Sequence, residues 1–182
     1  MKVDLKEKIL FVPHPVLMIG TFDENGNANV MNAAWGMRSD YTQVMISLSE
    51  HKTTENFRKT GAFTVAFATK ETVEISDYFG LVSGNKVDKI AKTGVHVSKG
   101  HKVNAPIIEE YPLTIECEVV SFENGLLTGE VVNVVADDSI LDKDGKIDPK
   151  KFHPIAFDEI SNTYREIGEE VAKAFNVGLK LK

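Results

Sequence analysis

The chain has 182 residues, 42% hydrophobic and 26% charged, enough for one domain with a sizeable core. Its 21 basic and 27 acidic residues leave a formal net charge of −6, which offers nucleic acid or an anionic membrane no global attraction but tolerates a small basic pocket for a phosphate. The single cysteine, Cys117, excludes an internal disulfide and a CxxC redox pair.

The N-terminal segment MKVDLKEKILFVPHP has no apolar run of signal-peptide length, and no membrane-spanning apolar stretch occurs, so a cytoplasmic protein is expected. Residues 15–22 and 28–35 flank Asn25-Gly26, whose residue types suit the two positive-φ positions of a type I′ turn; a β-hairpin is predicted there. In 43–49, Val44, Ile46 and Leu48 alternate with Met45, Ser47 and Ser49, the period of a strand. Thr53 or Thr54 can cap a short helix running to Lys59 and ended by Gly61, and 62–68 (AFTVAFA) reads as a further strand. Residues 70–78 and 85–92 read as two more short helices, and 94–111, the least regular part, as a surface excursion. Residues 112–123 and 126–137 flank Asn124-Gly125 and form a second predicted hairpin, with Leu113, Ile115, Cys117 and Val119 on its apolar face. Residues 167–176 read as a C-terminal helix.

Strands dominate, and the helices do not alternate with them one for one. That pattern indicates an antiparallel barrel with inserted helices rather than a doubly wound parallel sheet. No repeat, low-complexity tract or linker divides the chain, so residues 1–182 are expected to form one domain.

Common chemical signatures are missing: no G-x-G-x-x-G, no P-loop and no G-x-S-x-G elbow. The five histidines, His14, His51, His96, His101 and His153, lack zinc-ligand spacing. Asp142, Asp144 and Asp148 resemble a calcium loop only faintly, because Gly145 and His153 fall at the wrong positions, and a polar loop is expected. The informative region is 29–56. Its strand runs into Asn32-Ala33-Ala34, where small side chains let a flat ligand approach the backbone. Its second half leaves a strand at Ser47-Leu48-Ser49 and enters a helix at Thr53-Thr54, whose free N–H groups and positive dipole end suit a phosphate. Ser49, Lys52, Thr53 and Thr54 would complete such a seat, although Thr53 and Thr54 equally serve as caps and Trp35 as core.

These segments resemble the flavin reductase-like, FMN-binding split-barrel proteins, the group that includes flavoredoxin and the reductase components of two-component monooxygenases. The resemblance is carried, in order, by Asn29-Val30-Met31-Asn32-Ala33-Ala34-Trp35, by Ile46 to Ser49 with Lys52-Thr53-Thr54-Glu55-Asn56, and by Gly61 to Val65. It continues through Phe79 to Lys89, with its S-G-x-x-x-D-K pattern from Ser83 to Lys89, and ends with Tyr164-Arg165-Glu166-Ile167-Gly168. It implies a mainly β, Greek-key split barrel that dimerises and binds FMN near the subunit interface. It further implies that the strand bearing Asn29 and Met31 leads into an isoalloxazine edge formed by Asn32, Ala33, Ala34 and Trp35. Ser47, Ser49, Lys52, Thr53 and Thr54 would then hold the ribityl phosphate, with Ser83, Gly84 and Lys89 approaching the same site. The implied activity is an NAD(P)H-dependent flavin reductase; the alternatives are a non-enzymatic FMN electron carrier of flavoredoxin type and a ligand-binding barrel that has lost flavin. His153-Pro154 is the candidate for the nicotinamide end, and no catalytic acid, base or nucleophile is required, since the flavin carries the redox chemistry.

Overall fold

The computed structural model describes residues 2–5 and 10–182. In chain order it contains β1 (His14–Pro15), β2 (Leu17–Phe22), β3 (Ala28–Ala33), β4 (Gly36–Arg38), β5 (Gln43–Ser47), α1 (Lys52–Thr60) and β6 (Ala62–Phe67). There follow α2 (Val73–Leu81), α3 (Lys89–Thr93), β7 (Val97–Lys99), β8 (Pro106–Ile108), β9 (Leu113–Glu123) and β10 (Leu126–Ala136). A 3₁₀ turn at Asp138–Ile140 precedes β11 (Ile155–Asp158) and β12 (Thr163–Glu166), and a second lies at Val177–Leu181. No helix among the described residues is long and apolar enough to cross a membrane.

The main sheet has seven strands in the order β3-β2-β6-β9-β10-β5-β4. Its two outermost strands, β3 and β4, are neighbours in sequence, separated only by Ala34 and Trp35. Three residue steps reach at most ~11 Å, so the sheet must curl until its edges approach each other. They do not pair along their length, and the barrel is split there. The fold is mainly β, a split barrel, as the resemblance implies.

Alternation along the central strands feeds two cores. Leu17 and Ile19 of β2, with Phe63 and Val65 of β6, pack inside the barrel against Phe57, Cys117 and Leu127. Val16 and Met18, with Ala66 and Ala68, face the other way toward Phe79, Tyr111, Ile108 and Ile155. This second core lies under α2 and beside the three-stranded sheet β1-β11-β12. Period-two geometry sends successive side chains to opposite faces, and both faces here are covered, which is why β2 and β6 lack a polar side. Cys117 is buried in the barrel core, and burial pushes its thiol up to about 12.

Several expectations need correction. At Asn124-Gly125 both residues have positive φ, 52° and 78°, as a type I′ turn requires. At Asn25-Gly26 only Gly26 does, because Asp23 accepts the Gly26 N–H at 3.0 Å and its carboxylate takes the Asn25 and Asn27 N–H groups, lengthening the loop. The helix expected over 70–78 begins three residues later, since the Thr72 hydroxyl accepts the Thr69 N–H at 2.9 Å and holds a turn there. That expected over 85–92 shrinks to α3, capped by Asp88. Residues 94–111 are no surface excursion: β7 pairs with β8, and Val95, Val103, Ala105, Ile107, Ile108 and Tyr111 are buried. Residues 167–176 form no helix; every one is exposed, and a short segment with no buried face gains too little to offset its ordering.

Candidate functional site

The split exposes one end of β3 and the turn into β4, and two adjoining hollows open along them. The first, of about 380 Å³, is walled by Met31, Asn32, Ala33, Ala34, Trp35, Ser47 and Ser49, with His51, Asp77, Gly80, Leu81, Phe157 and Tyr164 opposite. The second, of about 300 Å³, continues past Met31, Asn32, His51, Gly80 and Leu81 to Asn29, Lys52, Thr53, Ser83, Gly84 and Lys89. Together they make one cleft between the β3 edge, the start of α1 and the end of α2. Every residue assigned to the flavin from the sequence lines it except Thr54.

Thr54 is excluded for a local reason. Its hydroxyl accepts the His51 N–H at 2.8 Å and lies against Glu50 and the His51 carbonyl, so it secures the start of α1 from within. His51, not Thr53 or Thr54, is the capping position. Thr53 is fully buried and accepts from Asn29 Nδ2 at 2.8 Å, tying α1 to β3. Lys52 stands at the mouth of the same helix, where the N–H groups of the first turn have no intrahelical acceptor. Trp35 is 64% exposed on the cleft rim, so it is not barrel core; its carbonyl accepts the Ser47 N–H at 2.8 Å and fixes the rim against β5.

The far wall is locked to the near one. Asn32 Nδ2 donates to the Ser76 carbonyl at 2.9 Å, and Gly80 lets α2 sit so close that a Cβ there would lie 3.3 Å from Asn32 Cβ. Gly84 is more constrained: an added Cβ would fall 2.0 Å from Asn29 Oδ1. Lys89 is 5% exposed, and its ammonium donates at 2.8 Å to both the Val30 and Phe79 carbonyls. Burial lowers its pKa from the usual lysine value to about 8. Two of its three N–H donors are thus spent on the protein, and its ion pairs include no carboxylate among the described residues. A buried cation held in this way favours an anion beside it.

Sequence reasoning missed His51, Asp77, Gly80, Leu81, Phe157 and Tyr164. Gly80 carried a signal, as a glycine inside a helix marks close approach. The others enter the cleft through long-range packing: Tyr164 of β12 donates to Asp77 Oδ1 at 2.7 Å, and burial, then that hydrogen bond, pushes its phenol to about 12. His153 lines neither hollow; its Nδ1 meets Glu166 Oε1 at 2.8 Å, and it borders a separate hollow with Thr69, Glu110 and Lys151.

Known proteins resemble this arrangement. The flavoredoxin of Desulfovibrio vulgaris (Miyazaki F) superposes with a TM-score of 0.93 at 34% identity, covering 98% of this chain and 100% of that one. The flavoredoxin of Methanosarcina acetivorans gives 0.90 at 30% identity, with full coverage of both chains. An FMN-binding protein of Thermus thermophilus shares the fold at 21% identity, TM-score 0.76, covering 95% of this chain and 97% of its own. With residues 9–156 also matching the model of the flavin reductase like domain, the strands and helices that build the cleft are those of that family, and this chain belongs to it.

Proposed function

We propose that the cleft binds FMN and that the protein passes reducing equivalents through it. The observation that carries this reading is the cleft's polarity. One end is made of backbone and small side chains at Asn32, Ala33 and Ala34; the other gathers Lys52, the start of α1 and the buried Lys89. A flat heterocycle carrying a phosphate tail matches that gradient, because the rim reads ring edges and the cations meet the phosphate. In this reading Ser47, Ser49, Thr53, Ser83 and Gly84 position the ligand, and Asn29 holds Thr53 and the 83–84 turn in register. The bound flavin supplies hydride and electron transfer, and the protein supplies orientation and exclusion of water.

Between an NAD(P)H-dependent flavin reductase and an electron carrier, two observations favour the carrier. The two flavoredoxins match over essentially the whole chain at 30% identity or above. In addition, His153, the candidate for a nicotinamide end, lines neither hollow of the cleft. The test begins with an absorption spectrum after adding FMN and desalting; retention of about one flavin per chain supports the site, and a flavin-free spectrum removes it. Anaerobic stopped-flow mixing with NADH and NADPH then decides the second question. Bleaching on a catalytic timescale establishes the reductase, whereas bleaching by dithionite alone establishes the carrier.

We also infer a homodimer. The β4 edge at the split is unpaired on its outer side, and Trp35, Met37 and Tyr41 beside it are 64%, 65% and 91% exposed. Covering an open sheet edge and its apolar residues with a twofold copy removes both liabilities. Light scattering that returns the mass of a single chain at micromolar concentration rejects the dimer.

A further inference from the structure

Charge is unevenly placed along the cleft. Its cationic end holds Lys52 and Lys89, which meet the phosphate in the flavin reading, and a phosphate monoester carries about 1.5–2 negative charges that offset both ammonium groups. The ring end has a different balance. Three of the residues lining its hollow titrate: His51, Asp77 and Tyr164. His51 is exposed at the start of α1, and Tyr164 is a phenol pushed up to about 12 by burial and then by its hydrogen bond to Asp77. The negative charge of that hollow therefore comes from Asp77. This residue is half-buried on α2, one position beyond Ser76 and three before Gly80. Both neighbours fix it: the Ser76 carbonyl accepts from Asn32 Nδ2 at 2.9 Å, and Gly80 packs against the Asn32 side chain, so α2 is pinned to the β3 rim. The Tyr164 hydroxyl donates to Asp77 Oδ1 at 2.7 Å, and Asp77 belongs to no ion pair among the described residues. A neutral donor orients a carboxylate without cancelling its charge. In a half-buried wall, where screening is weaker than in water, that charge opposes further negative charge placed beside it.

We propose that Asp77 lowers the reduction potential of the bound flavin, its carboxylate weakening the hold of the cleft on reduced FMN relative to oxidised FMN. The proposal rests on the flavin reading of the cleft. At pH 8 reduction adds two electrons and one proton to the ring, a net gain of one negative charge, and that gain is what an anion in the wall disfavours. The shift in potential follows the ratio of the two dissociation constants, about 30 mV for each factor of ten in a two-electron couple. Tyr164 is the positioning residue, since its phenol holds the carboxylate toward the hollow. A lowered potential suits a carrier that must pass its electrons onward.

The test is an anaerobic redox titration at pH 8, followed by absorption against dyes of known potential, on the FMN-loaded full-length protein, Asp77→Asn and Tyr164→Phe. Asp77→Asn keeps the shape and an acceptor for the phenol but removes the charge. Tyr164→Phe breaks the same hydrogen bond and keeps the charge. Circular dichroism checks that both variants fold. The expected result is a rise of about 30 mV in Asp77→Asn, equivalent to a tenfold change in the ratio of dissociation constants, with no rise in Tyr164→Phe. Calorimetry with oxidised FMN should show its affinity in Asp77→Asn equal to or above that of the parent. A rise common to both variants marks the pair as a brace for the wall and overturns the proposal. An unchanged potential in Asp77→Asn, or loss of its flavin, overturns it as well. A parent protein that retains no FMN rejects the flavin reading itself, and this inference with it.

Discussion

Glu116 is fully buried in the middle of β9, yet it carries a carboxylate. Its Oε1 accepts from the His101 N–H at 3.0 Å and from Asn133 Nδ2 at 3.1 Å; its Oε2 accepts from the Lys102 and Val103 N–H groups at 2.6 and 3.2 Å. The loop between β7 and β8 is therefore wrapped around one anion. Gly100 permits the wrapping, since an added Cβ would lie 2.8 Å from the Val103 carbonyl and 3.3 Å from Oε2. In Glu116→Gln one oxygen remains as an acceptor, while the new NH₂ group faces N–H donors. At best two of the four bonds survive, and without their charge assistance. A hydrogen bond to a charged group contributes ~1.5–3 kcal/mol, so the substitution should destabilise the protein by about 3 kcal/mol. For a chain of this length that lowers the melting temperature by about 6–12 °C. Urea denaturation at pH 7 measures the free energy, and hydrogen exchange at His101, Lys102 and Val103 locates it. The pH dependence gives a second check. Burial alone pushes Glu116 up, but the hydrogen bonds from Lys102, His101, Asn133 and Val103 outweigh it and hold the carboxyl below the usual glutamate value. A depressed folded pKa gives stability that is present above the unfolded value, about 4.3, and is lost as pH falls through the folded one. The gap between the two proteins should therefore narrow below about pH 4. A variant within ~0.5 kcal/mol of the parent at pH 7, the scatter of ordinary surface substitutions, with protection unchanged in the loop, would falsify this account.

Other consequences are equally direct. Gly84→Ala places a methyl group 2.0 Å from Asn29 Oδ1, so Asn29 must shift and FMN affinity should fall by about tenfold or more, about 1.4 kcal/mol, in a titration of the stripped protein. Thr53→Val keeps the shape but strands Asn29 Nδ2, and should cost ~1–3 kcal/mol in urea denaturation; a neutral result shows that the amide finds another acceptor. Lys89 titrates near 8 when folded, so an anion beside it binds best while it is protonated; FMN affinity should weaken as pH rises through that value, and Lys89→Met should remove the dependence. Cys117, pushed up to about 12 in the barrel core, should resist thiol reagents at pH 8 until the protein unfolds; stoichiometric labelling of the native state contradicts its placement.

The hairpins and the barrel were legible because local chemistry and tertiary demand agree there. The alternation of Leu113, Ile115 and Cys117 is the alternation of a sheet with a filled interior, and Asn124-Gly125 has the backbone its residue types suit. Residues 94–111 misled for the opposite reason. Their turn-rich composition describes a loop, but Val103 and Ala105 pack against Ala62 of β6 while Glu116, reached from β9, anchors the loop's backbone, and no local pattern announces a carboxylate that collects N–H groups from another element. The expected helix at 167–176 failed on a tertiary term as well: its propensity is adequate, and no surface waits to receive it.

The cleft shows the same division at finer scale. Asn29, Lys52 and Ser83 were identified as types of residue, and the fold brings them together. What composition could not show is which side chains face the cleft directly and which hold those that do. Thr54 has the same chemistry as Thr53, one position earlier on α1, but a helix turns about 100° per residue. That rotation sends the Thr53 hydroxyl toward Asn29 and the Thr54 hydroxyl back to His51. Lys89 combines both roles, since its ammonium staples the Val30 carbonyl of β3 to the Phe79 carbonyl of α2 while facing the cleft. A conservative arginine would need to place a planar, five-donor group where two carbonyls now satisfy a point charge, so Lys89→Arg should separate the walls rather than preserve them. The geometry of the cleft therefore depends on its charge being carried by a lysine.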